Sequence, residues 1–389
     1  MSVFDELIGQ ERVVATLRRA ASDPAAMTHS WLFTGPPGSG RSVAARAFAA
    51  ALQCEQSQSP GCGQCPACHT VLIGSHPDVT VVATNETFLR VDRARELALA
   101  AATRPAAGRW RILIVEDADR LNEQAADALL KTLEEPPPRT VWLLSAPTLD
   151  DLIVTVRSRC RHVRLGTPPV QAVAELLIRR DGIEASMAHY AARAAQSHVG
   201  IAKRLATDEA ARSRRRRVTG IPLSLTSLGA ALAAAAEIVE EASDGASAAS
   251  GEDAAQARAE VLRQLGADPA ARTQPPAVRA HLRQLDEEHK RVARRRQHDT
   301  IDAALTDLAS VYRDALVLGS GADVEAVNAG ELEQVRQLAR ALGPEELLLA
   351  LESITLARGR LVANGAPLLV IEAMMIGLTL PRARSGARG

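Results

Sequence analysis

The stretch TGPPGSGRSVAARAF, residues 34–48, decides the fold. It follows the short apolar run WLFT at 31–34 and opens the alanine-rich run VAARAFAAALQ at 43–53. A strand, a glycine-rich turn and a helix, in that order, build a cradle for phosphate. Backbone N–H groups turn toward an anion, and the helix N-terminus adds partial positive charge. The pattern is Gly, four residues, Gly, Lys, then Ser or Thr. Gly35, Gly40 and Ser42 meet it, with Gly38 and Ser39 inside the loop, but the lysine position holds Arg41.

Arginine stays cationic there, but its planar fork is bulkier than an ammonium and differently aimed. Two states are open for such a loop. It holds ATP or ADP on its backbone N–H groups, with Ser42 toward Mg²⁺, or it stands empty and only closes the strand–helix turn. Efficient hydrolysis is not expected of it.

Outward from the loop, apolar and β-branched runs recur at 79–83, 112–115, 141–144 and about 162–165, with helical stretches at 92–103 and 122–135 between them. Strands alternating with helices predict an α/β fold, a parallel sheet with helices on both faces. Directly after 112–115 come Glu116 and Asp117. Phosphate-loop ATPases carry at this place an acid for Mg²⁺, often followed by a glutamate that activates water. The order here is reversed, and Asp117 is one methylene shorter than glutamate. A misplacement near 1 Å can cost on the order of 100-fold in rate. The next segment, LNEQAADALLKTLEEPP at 121–137, reads as an amphipathic helix stopped by the prolines at 136–138.

Thr167-Pro-Pro169 closes this block, and 170–206 has helical periodicity without strand candidates. From about 221 the chain reads as helix to its end. Within it, EASDGASAASGEDAAQ at 241–256 is small and polar and HKRVARRRQH at 289–298 is basic, so 241–300 is expected to be a flexible insertion. The arginines at 214–217 mark a domain boundary, either a solvated hinge or a DNA contact.

Four of the five cysteines are Cys54, Cys62, Cys65 and Cys68. Four thiolates this close can surround one tetrahedral Zn²⁺, with Gly61, Gly63 and Pro66 supplying the turns; His69 adjoins the last sulfur as a competing ligand. Four protein ligands leave no open position, so the expected role is structural. The fifth cysteine, Cys160, stands alone.

The 389 residues carry 46 basic and 46 acidic side chains, so no whole-protein grip on nucleic acid is implied. Apolar residues make up 47% but aromatics only 2%, which predicts a core of Ala, Leu and Val. Neither an N-terminal signal nor a membrane span is expected, and the chain reads as soluble and cytoplasmic.

These parts together resemble the AAA+ clamp-loader subunits of bacterial DNA polymerase III. The residues that carry the resemblance are FDELIGQERVVATL at 4–17, the loop at 35–42, CGQCPAC at 62–68, HPD at 76–78, ALLKTLEEPP at 128–137 and Ser158-Arg159-Cys160. It covers about 1–206 and recurs weakly in NGAPLLVIEAMM at 364–375, which looks like the last helix of the family's collar domain. The resemblance implies an AAA+ phosphate-loop domain with a zinc knuckle over 1–167, a small helical lid over 168–208, and an all-helical collar over 209–389. The family's motor branch, gamma/tau, has lysine in the loop, an Asp-Glu pair and a polar sensor. This chain departs with Arg41, Glu116-Asp117 and Ser145-Ala146-Pro147-Thr148. Such erosion is similar to the delta-prime branch, a stator that keeps its arginine for a neighbour. The resemblance therefore implies a subunit that joins gamma/tau and delta in a hetero-oligomer, meets the sliding clamp and primer-template DNA through that complex, and offers Arg159 in trans to the neighbour's ATP; the other reading open for Arg159 is a pairing with an acidic residue at a helix end. A motor ATPase of the gamma/tau kind is the alternative. Lys203 stands where the family often has its second sensor, but the match is weak and the favoured reading is a surface lysine.

Overall fold

The computed structural model describes residues 2–56, 59–82, 89–264, 267 and 275–385. The chain divides into two compact units, 1–207 and 208–389.

The first unit is built on five parallel strands in the order β2-β3-β4-β1-β5. These are β1 (Ser30–Thr34), β2 (Val79–Val82), β3 (Arg111–Val115), β4 (Thr140–Ala146) and β5 (Arg161–Arg164). The expected last residue of the second strand, Ala83, lies outside the described residues. Strands β1 and β4 are buried along their whole length, as continuous apolar runs require when both faces are covered. Alternate residues feed two cores. Phe33, Ile112, Ile114, Val141 and Leu143 point into one, and Leu32, Leu113, Val115, Trp142 and Leu144 into the other.

Helices α1 (Glu11–Ser22), α2 (Arg41–Gln53) and α3 (Pro66–Leu72) belong to the first face. Six buried alanines in α2 bring its backbone close to the sheet, and Phe48 meets Trp31 edge-on with ring centroids 5.0 Å apart. Helices α4 (Val91–Ala101) and α5 (Glu123–Glu134) pack with each other over the second face. Asn122 caps α5 by accepting from the Ala125 N–H at 2.8 Å. A one-turn helix, α6 (Val154–Arg157), leads into β5. Only Val163 of β5 is buried; the other three residues are charged or imidazole side chains that guard the sheet edge. Arg161 also lies 4.8 Å above the Trp31 ring.

Three helices then complete the unit: α7 (Val170–Asp181), α8 (Ala185–Ala194) and α9 (Val199–Thr207). Gly182 in the left-handed region ends α7, and Glu184 caps α8. The N-terminal segment joins distant parts of this unit. Val3 donates to the Gly61 carbonyl at 2.9 Å, and the Gln10 amide both donates to the Gly166 carbonyl at 2.7 Å and accepts from its N–H at 3.2 Å. Gly9, at φ +66°, lets Pro169 approach so closely that a Cβ there would sit 2.6 Å from its Cδ.

A second anchoring device centres on Asp78. Its buried carboxylate accepts from the N–H groups of Ala106, Ala107 and Gly108 at 2.7, 2.8 and 2.6 Å. Gln53 grips the following residues, donating to the Trp110 carbonyl and accepting from Arg109. Both thus fasten the turn between α4 and β3.

The second unit is entirely helical among the described residues: α10 (Glu209–Ser224), α11 (Leu228–Gln264), α12 (Pro276–Gly319), α13 (Leu332–Ala341), α14 (Pro344–Val362) and α15 (Pro367–Ser385). Its core gathers Ile301, Leu308, Tyr312, Leu338, Ile354 and Met375. The stretch expected to be an insertion at 241–300 forms the adjoining ends of α11 and α12, apart from 265–266 and 268–274, which lie outside the described residues. Its alanines favour helix once a long partner helix lies alongside. The arginines at 214–217 are each met by acids of this unit. Arg214 faces Asp208, Arg216 faces Glu209, Arg217 faces Glu237 and Glu241, and the buried Arg215 donates to Asp307 and Asn328.

Candidate functional site

The glycine loop emerges where β1 ends, at the reversal of strand order that in open parallel sheets makes a ligand crevice. Gly38 and Gly40 have φ of +81° and +92°, conformations that residues with a Cβ rarely adopt, and Gly40 immediately precedes α2. The Gly35 N–H donates to the Pro147 carbonyl at 3.0 Å. The expected sensor position therefore meets the loop through backbone, and Ala146 and Pro147 offer it no polar side chain.

A cavity of about 330 Å³ opens on this loop, the lower end of the size range for small-molecule sites. Its walls are the loop with Arg41 and Ser42, residues 6–8, and the helices after the sheet, which contribute Leu176, Arg180 and His198. His198, just before α9, sits directly on Gly38: a Cβ at Gly38 would be 2.7 Å from the His198 Cα. Burial pushes the His198 imidazole pKa down, and Arg204 adds to this. The ring thus favours its neutral form.

Arg41 does not extend into open solvent. Burial lowers its pKa, and the charges of Asp119, Asp117 and Asp151 oppose that fall. Its Nη1 is buried without a hydrogen-bond partner among the described residues, and so is the Ser39 hydroxyl. Two orphaned polar atoms at a helix N-terminus behind a glycine loop fit a phosphate or a water, because buried donors are costly when unpaired. Asp119 is itself pushed up by burial and by Asp117 beside it. Glu116 has a different partner: Arg46 donates to its Oε1 through Nε and Nη2 at 3.1 and 2.8 Å. The structure thus gathers Gly35, Gly38, Ser39, Gly40, Arg41 and Ser42 with the Asp117 field, while the Glu116 carboxylate is engaged by α2. Lys203 binds Asp181 at 2.8 Å, a carboxylate that Arg180 also holds. The contributions of Arg46, Asp151 and His198 had no sequence signal.

Arg159 is apart from this group. It follows α6 and turns back to the end of α5, where its Nε donates to Glu134 Oε1 at 2.7 Å and Nη2 reaches the same oxygen. Its Nη1 donates to the Thr155 carbonyl at 2.6 Å and the Ser158 hydroxyl at 3.2 Å. Beside it the Cys160 thiol is pushed up to about 12 by burial.

The four clustered cysteines converge as their spacing predicts. The Sγ atoms of Cys54, Cys62, Cys65 and Cys68 all lie within 4.8 Å of one another, compatible with the roughly 3.8 Å edges of a tetrahedron with 2.3 Å metal–sulfur bonds. Backbone N–H groups of Gln64 and Cys65 donate to Cys62 Sγ at 3.5 and 3.4 Å, and that of Cys68 to Cys65 Sγ at 3.4 Å. Such donors favour thiolate. Burial works against ionisation of Cys54, but N–H groups of Cys62, Gln56 and Gly61 outweigh it and bring the thiol down to about 7, whereas burial and the neighbouring sulfurs of Cys65 and Cys54 push the Cys68 thiol up. His69 is exposed and outside the cluster. The residues are positioned to bind a metal.

No helix among the described residues is long and apolar enough to cross a membrane.

Residues 9–169 match the family described as DNA polymerase III, delta subunit. The DNA polymerase III subunit delta' of Pseudomonas aeruginosa is 36% identical over 154 residues, 39% of this chain and 47% of that protein. The subunit gamma/tau of Mycobacterium tuberculosis is 33% identical over 178 residues, 45% of this chain and 31% of that one. The match thus spans less than half the length of either relative. Among solved structures, a gamma subunit-related protein of Thermotoga maritima aligns over 95% of this chain and 99% of its own, at 15% identity and a TM-score of 0.37, a distant likeness.

Proposed function

We propose that this chain, which matches the DNA polymerase III delta-subunit family over residues 9–169, is the delta-prime-type stator of that polymerase's clamp loader. It joins gamma/tau and delta subunits, helps open the sliding clamp onto primer-template DNA, and donates Arg159 to the triphosphate held next door. One observation carries the reading. The chain's own loop carries Arg41, half-buried in the field of Asp119 and Asp117, with Pro147 at the sensor position, yet Ser158-Arg159-Cys160 is intact between α6 and β5. A finger arginine acts on a neighbour's phosphoryl group and needs no nucleotide in its own subunit.

ATP or ADP bound here, with or without Mg²⁺, acts as an assembly ligand rather than a fuel. The cysteine cluster holds structural Zn²⁺. The helical second unit is the collar, and Leu348, Leu349, Leu356 and Leu369, each between 49% and 66% exposed, supply apolar surface for neighbouring collar helices.

The test is Arg159→Ala in a loader reconstituted with its gamma/tau, delta and clamp partners. Turnover at the adjacent site should fall about 10³-fold or more, removing that site's share of total ATP hydrolysis. Undiminished turnover would end the finger reading. The gamma/tau identity favours a second reading, a motor in its own right; ATP turnover by the isolated chain, abolished by Arg41→Ala, would support it.

A further inference from the structure

Glu134 is the last residue of α5, and Glu135 follows it. Helix carbonyls make that end partially negative, so an acid is locally unfavourable there. A residue placed against local preference calls for a tertiary reason. Arg159 supplies it: two of its nitrogens converge on Glu134 Oε1, and the third is taken by the Thr155 carbonyl and the Ser158 hydroxyl.

We propose that Glu134 is a retaining latch for Arg159, holding the guanidinium folded back on its own subunit until a neighbour's polyphosphate displaces the carboxylate. The proposal rests on the finger reading above. A guanidinium engages phosphate best through a pair of parallel N–H groups. Here Nε and Nη2, which form such a pair, are committed to Glu134. The latch is weak enough to exchange, because the two side chains are 46% and 32% exposed and water screens them. A fully buried pair would be permanent. The release is a swap of one anionic partner for another, with no bond made or broken.

Two measurements test it. In the free chain, phenylglyoxal labels accessible arginines, and peptide mass spectrometry reads the rate at Arg159 against the exposed Arg12 and Arg104. Glu134→Gln, which keeps shape and loses charge, should raise the Arg159 rate by up to about five-fold, the ceiling for an exposed ion pair. Glu134→Asp, which keeps charge but shortens the reach, should act in the same direction. In the reconstituted loader, Glu134→Gln should lower the chain concentration giving half-maximal ATPase stimulation by a similar factor, with the plateau unchanged. An unchanged labelling rate overturns the latch. A raised half-maximal concentration also overturns it, since Glu134 would then orient the finger rather than restrain it. If Arg159→Ala leaves turnover intact, the finger reading falls, and the labelling result still decides whether Glu134 restrains Arg159.

Discussion

Removing the Asp78 carboxylate should loosen the first unit by several kcal/mol. The group is fully buried and accepts three backbone N–H groups at 2.6–2.8 Å. Hydrogen bonds to a charged group contribute about 1.5–3 kcal/mol each, and they are not additive where water can reach the freed turn. Asp78→Ala should therefore cost about 4 kcal/mol, and Asp78→Asn, whose amide oxygen still accepts part of the set, about 2 kcal/mol. The assay is urea unfolding followed by tryptophan fluorescence. All three tryptophans, Trp31, Trp110 and Trp142, lie in 1–207, so the signal reports that unit alone. The pH dependence has a definite sign. Burial raises the Asp78 pKa, but the three N–H groups and His76 outweigh it and hold the carboxyl below its ordinary value. Its stabilisation is complete above the ordinary carboxylate range and is lost as pH falls through the depressed value. The gap between the natural chain and Asp78→Asn should thus shrink below about pH 4, and a change at higher pH reports the charging of His76 beside it. A loss under about 1 kcal/mol for Asp78→Ala, or a gap that persists unchanged in acid, would refute the anchoring role.

Gly38→Ala should destabilise the same unit by about 2 kcal/mol or more, since it combines a left-handed φ with a clash against the His198 backbone; hydrogen exchange should rise at 196–201 first. Stripping the metal with a chelator should release about one equivalent of zinc and raise exchange over 54–72 and at residues 2–4, which contact Gly61; no release would remove zinc from the account.

The sheet was legible because buried parallel strands such as 112–115 and 141–144 are uninterrupted apolar runs. The edge strand 161–164 is the faintest, with one buried side chain among polar ones. The glycine loop and the cysteine cluster could be read because their chemistry resides in local spacing. The particular partners of their charged neighbours could not, although an acid at a helix end is one reading open for Arg159. Arg46 and Glu116 lie 70 residues apart, and Arg159 and Glu134 lie 25 apart. Those pairings exist only once the sheet has brought helix ends together. Composition and structure pull apart in 241–264 and 276–300: small polar residues suggest a flexible insertion, while alanines and a long neighbouring helix favour helix there.

Residues 2–10 behave as a strap. One end is fastened at Gly61, within the cysteine segment, through Val3 and Phe4. The other is fastened at Gly166 and Pro169, just before α7, through Gln10 and Gly9. In between, Leu7 rests 3.5 Å from where a Cβ on Gly40 would stand. The cysteine corner and the entry to α7, far apart in sequence, are thus joined by one short segment.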